Sequence, residues 1–162
     1  MKNSIILLAL TIATLTVKAQ SISGSITIKE QSKVEIQTKN NKVVSLYAAF
    51  RENQYPILFS FKGKDLPYNS EKKQVVNIQF ITTVKKDGKV IASVPRKPIP
   101  FFPGDMLMPI ETFEFISILA NNQKNSSDKT SQIAAGNYEI ILEAKPQGIK
   151  GEIAPLSIFV NF

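Results

Sequence analysis

Apolar side chains recur at every second position along most of this chain, and that period constrains its fold more than any other feature. Ile22, Ile26 and Ile28 alternate with Ser25 and Thr27, and Val34-Glu35-Ile36-Gln37 repeats the step. Side chains of an extended strand point alternately to its two faces, so this spacing marks strands with one face buried. Val75 to Lys85 continues the series, with Val76, Ile78 and Phe80 on one face and Asn77 and Gln79 on the other. Asp87-Gly88 then suits a tight hairpin turn, in which both central residues need positive φ, and Lys89 to Val94 is the returning strand. Lys42 to Phe50, with Val43, Val44, Leu46 and Tyr47, is expected as a central strand, and Ile57 to Phe61 as another short one. Asn137 to Lys145 and Ile153 to Phe162 are the closing strands, joined by a turn carrying Pro146, Gly148 and Gly151.

Three segments depart from the period. Pro95, Pro98, Pro100, Pro103 and Pro109 interrupt it over residues 95–110, and proline cannot donate to a sheet ladder. Over Ile110 to Asn122 the apolar spacing of Phe113, Ile116 and Ala120 predicts a short helix, with Glu111 and Glu114 in its first turn. Asn122 to Gln132 has no apolar anchor and reads as a mobile loop. The whole is a mainly β chain: an antiparallel β-sandwich with one short helix near 110–121.

Gly136-Asn137-Tyr138-Glu139-Ile140 resembles the turn into a late strand of Ig-like β-sandwiches. In that family a tyrosine near the strand start hydrogen-bonds back across the corner. The likeness covers five residues and lacks the Cys-Trp-Cys signature, so it implies an Ig-like sandwich and nothing about a ligand. The alternating end Leu156, Ile158, Val160 and Phe162 looks like the last strand of an outer-membrane β-barrel. Polar stretches at 62–74 and 121–132, the proline cluster and the lack of aromatic girdles leave too little strand for one.

The first twenty residues read as an address. Lys2 precedes an apolar run from Ile5 to Val17, too short to span a bilayer, and Val17-Lys18-Ala19 suits cleavage after Ala19. The pattern resembles a bacterial Sec signal, so residues 1–19 are expected to be removed, leaving 20–162 as one domain in the periplasm or outside the cell. Losing Lys2 and Lys18 takes two from the formal charge of +7.

Composition removes most chemistry. The chain of 162 residues has no Cys, His or Trp, which excludes disulfides, thiol chemistry, Cys/His zinc sites and imidazole acid–base catalysis. No Gly-x-Ser-x-Gly elbow, phosphate-cradling glycine loop or calcium-loop pattern occurs. The carboxylates Glu111 and Glu114, with Asp105 nearby, keep one acid–base route open, but acidic residues in a first helical turn ordinarily serve the dipole. An enzyme is therefore not expected, nor a cofactor or a metal. Lysines are scattered without interleaved aromatics, and Arg51 and Arg96 are the only arginines, a pattern unlike nucleic-acid platforms.

The segment Arg96 to Pro109 is the candidate contact surface, with Arg96, Lys97, Phe101, Phe102, Asp105, Met106 and Met108 as its binding residues. Connections of this length are often functional, and adjacent Phe with two Met are unusual in a loop. Proline stiffening reduces the entropy lost on docking. The competing reading turns Phe101, Phe102, Met106 and Leu107 inward to plug the sandwich. The expected role is an exported, non-catalytic binding or assembly accessory of the cell envelope. Its partners would be an envelope or surface protein or an anionic polysaccharide, with no nucleic acid and no membrane span. The alternative is a self-associating structural surface or matrix subunit.

Overall fold

The period-two runs do become strands, arranged as two packed sheets. The computed structural model describes residues 20–52, 54–121 and 132–162. The expected leader and nearly all of the 122–132 loop lie outside them.

In chain order the strands are β1 (Ser21–Ile28), β2 (Lys33–Ile36), β3 (Ile57–Lys64), β4 (Val76–Lys86), β5 (Lys89–Pro95), β6 (Ile99–Phe101), β7 (Gly104–Met108), β8 (Asn137–Pro146), β9 (Lys150–Ala154) and β10 (Leu156–Asn161). One sheet runs β7-β3-β1-β9; the other runs β2-β10-β8-β4-β5, with β6 also paired to β4. The architecture is a mainly β sandwich and not a closed barrel. Most neighbours are antiparallel as expected, but β1 pairs with β9 and β2 with β10 in parallel, so both sheets are mixed.

Each strand buries one parity of its sequence. On β1 these are Ile22, Ile26 and Ile28; on β3, Ile57, Phe59 and Phe61; on β4, Val76, Ile78, Phe80, Thr82 and Val84. The rings of Phe59 and Phe80 meet edge-on at 5.3 Å, and Phe80 meets Phe113 edge-on at 5.4 Å, joining the layers through aromatic contacts. Asp87 and Gly88 both take positive φ, 48° and 79°, as the β4–β5 hairpin requires.

Four expectations are corrected. The central strand expected over Lys42 to Phe50 is instead a helix, α1 (Val43–Arg51). Its buried residues Val43, Leu46, Ala49 and Phe50 follow helical spacing, which prevailed over the β preference of valine and tyrosine. The single helix expected near 110–121 is divided into a 3-10 turn (Ile110–Phe113) and α2 (Phe115–Asn121) by Glu114, whose φ of 57° is left-handed. Phe115 then packs edge-on against Phe50 of α1 at 5.4 Å.

The closing strand expected over Ile153 to Phe162 is two strands in two different sheets. Pro155 separates β9 from β10, and the alternation changes phase between buried Ile153 and buried Leu156. Lastly, the proline-rich segment is largely strand. β6 follows β5 along β4, with Pro100 opposite Asn77, and β7 then pairs with β3 in the other sheet. Both are edge strands, where a missing N–H costs no ladder bond on the outer side.

Candidate functional site

The corner between β6 and β7 carries the chain from one sheet to the other over Phe102 and Pro103. Alternation therefore decides which of its apolar side chains are held and which are offered. Phe101 lies opposite Val76 and is half-buried, its ring edge-on to Phe59 at 5.5 Å and to Phe80 at 5.4 Å. Its neighbour Phe102 is 49% exposed, with the Lys73 ammonium 5.9 Å from its ring centroid. On β7, Met106 and Met108 face Phe59 and Ile57 and pack against the core, while Leu107 between them is 72% exposed.

The two sequence readings of this segment each describe half of it. Phe101, Met106 and Met108 are the anchors; Phe102 and Leu107 are the exposed apolar groups. Leu107 was not among the binding residues chosen from the sequence, and the competing reading turned it inward, whereas it is exposed. The signal for it was the alternation Met106-Leu107-Met108, which places the middle residue opposite its neighbours once the segment is a strand.

The charged candidates are placed differently from one another. Arg96 clamps the 3-10 turn, donating from Nη1 to the carbonyls of Thr112 at 2.6 Å and Glu111 at 3.2 Å. Its Nη2 lies 3.0 Å from Glu114 Oε1. Arg96 is thus occupied with holding the segment to its own domain. Lys97 is exposed, and Asp105 accepts a 2.5 Å hydrogen bond from Ser60 Oγ on the outer face of β3.

Beyond Met108 the corner opens onto a cleft of about 240 Å³. Phe50, Tyr55, Pro56, Met108 and Ile110 line it, together with the ion pair of Arg51 and Glu111 at 3.1 Å. The Glu111 carboxyl is held below the usual carboxylate range, chiefly by hydrogen bonding to its own backbone N–H and then by the Arg51 guanidinium. Glu111 and Glu114 each face an arginine and are not turned toward one another's proton chemistry. Among the described residues no group of three or more acidic side chains is placed to hold a metal ion.

β7 is also an edge. It pairs with β3 on one side, and its five residues include no lysine, whereas the edge strands β2, β5 and β9 carry Lys33, Lys89 and Lys150. Lysine on an edge discourages further strand pairing, so β7 is the less guarded of these edges.

At the start of β8, Tyr138 Oη donates a 2.9 Å hydrogen bond to the Ala134 carbonyl four residues upstream. No helix among the described residues is long and apolar enough to cross a membrane. No protein-family model matches the chain, and no curated protein matches it significantly in sequence.

Proposed function

We propose that this chain is an exported, non-catalytic binding or assembly accessory domain of the bacterial envelope, built on an Ig-like sandwich. It contacts a protein or an envelope polymer through the β6–β7 corner. One observation carries this reading: Phe102 and Leu107 are exposed while Phe101, Met106 and Met108 beside them are fixed on the core. A rigid strand that presents isolated apolar groups loses little entropy on docking. The leader-like residues 1–19 support export, and the arginine-paired glutamates give no support to a hydrolase.

The test is a crosslinking pull-down of the tagged mature protein from native envelope, against the variant Phe102→Ser/Leu107→Ser. A specific partner lost in the variant, at unchanged melting temperature, is the expected result. A partner retained by the variant removes the corner from the site.

The less guarded edge of β7 favours a second reading, a self-associating surface or matrix subunit that pairs β7 with β7 of another copy. Sedimentation across a range of concentrations separates the two, since a strict monomer excludes the second.

A further inference from the structure

A second cleft, of about 280 Å³, lies beside Gln20 at the opposite end of β1 from the first. The segment 67–75 and the turn after β8 border it, and it opens to solvent. Its lining holds no charged side chain, in a chain of which 20% is charged. What lines it instead is Tyr68 and the carboxamides of Gln20, Asn69, Asn77 and Gln147, around apolar Pro67 and Ile149.

These groups are positioned and only partly used: Gln74 Nε2 donates to Tyr68 Oη at 3.5 Å, and Gln147 Nε2 donates to the Lys145 carbonyl at 3.4 Å. Asn69 Oδ1 accepts the backbone N–H groups of Glu71 at 3.0 Å and Lys73 at 2.9 Å, which fixes the side chain and leaves its Nδ2 hydrogens free. The backbone N–H of Gln147 donates to the Asn77 carbonyl at 2.9 Å, tying the turn to β4. The Asn77 carboxamide has no hydrogen-bond partner among the described residues. Tyr68 is 68% exposed although its backbone is pinned by a bridge to Gln74.

We propose that this cleft binds a single ring of a neutral glycan. An exposed tyrosine face, negative at its centre, attracts the weakly positive C–H face of a pyranose. The Nδ2 group of Asn69 offers donors, and the Asn77 carboxamide offers both donors and an acceptor, matching sugar hydroxyls that both donate and accept. The volume stands just under the range of roughly 300–1,000 Å³ for small-molecule pockets, so it takes one ring and not a large ligand. Recognition by dipoles and an aromatic face is insensitive to salt, unlike capture of an anionic polysaccharide by scattered lysines. The cleft does not require Phe102 or Leu107, so it stands apart from the corner reading and the two fail separately.

The experiment is a titration of the mature protein with cellotetraose, maltotetraose and chitotetraose, followed by amide NMR at low and high salt. Expected are shifts at residues 67–77 and 147–149 with at least one probe, at the same affinity in both salts. Tyr68→Ala should lower that affinity about tenfold. Tyr68→Phe should keep it, and Asn77→Ala should weaken it without loss of fold. The Phe102→Ser/Leu107→Ser variant should titrate as the parent does. No shift with any of the three probes, shifts elsewhere on the surface, or binding that collapses in high salt would each overturn the proposal.

Discussion

Thr82 Oγ1 donates a 2.6 Å hydrogen bond to the carbonyl oxygen of Phe113, joining the middle of β4 to the turn that leads into α2. Thr82 is the buried polar side chain among the described residues, 2% exposed, and the ring of Phe113 is packed on Phe80 of the same strand. Thr82→Val preserves the shape and removes the donor, leaving a buried carbonyl unpaired. The expected loss is about 1–3 kcal/mol in urea unfolding. An unchanged midpoint would mean that water reaches that carbonyl.

Adjacent phenylalanines should behave oppositely. Phe101→Ser opens the cluster of Phe59, Phe80 and Phe101 and should cost about 2–4 kcal/mol, given partial burial. Phe102→Ser removes a half-exposed ring outside that cluster and should stay within about 0.5 kcal/mol. Chemical denaturation of the two single variants checks this, and equal losses would contradict the alternation.

Gly151 faces Ile22 across the parallel β1–β9 pair with φ of 130°, and a Cβ there would overlap the Ile22 backbone. Gly151→Ala should therefore lose about 1–3 kcal/mol to backbone strain alone, with β9 separating from β1. Hydrogen exchange should show the amides of 150–154 losing protection ahead of those in β4 and β8.

The Arg51–Glu111 pair should give a small acid dependence. The Glu111 carboxyl titrates lower in the folded chain than unfolded, so its contribution is present above the ordinary carboxylate range and lost as pH falls through the folded value. Both side chains are largely exposed, so the effect is modest and weakens with salt. Urea midpoints of the parent and Glu111→Gln should converge as the pH is lowered through that range, and a constant gap would refute the assignment.

Strands with one solvated face were legible in the sequence because their alternation is a direct print of burial: β1, β4, the hairpin at Asp87-Gly88 and β8 stand where the period placed them. α1 was misread because Val43, Val44 and Tyr47 favour strands, although Val43, Leu46, Ala49 and Phe50 already had helical spacing. The division at Pro155 was written as a phase change between Ile153 and Leu156. In the candidate corner, the segment was visible from its prolines and aromatics, but its edge-strand character was not. Which of Phe101 and Phe102 turns inward depends on pairing with β4, a long-range contact that local composition does not encode. The uncharged cleft at Tyr68 was likewise invisible, since its lining comes from four separate stretches of chain.

The two parallel pairs have a consequence for how the molecule comes into being. β1 can pair early with β3 and gains β9 only late, but β2 pairs with β10, so a strand near residue 35 waits for one beyond residue 155. Such distant partners pay their loop-closure entropy before any pairing rewards it, which slows assembly. Among the described residues β10 is the one strand that pairs with β2, so β2 stays without a strand partner until the last strand of the chain is made. Delayed closure of this kind keeps a polypeptide pliable and commits it to its shape only when its last strand is available.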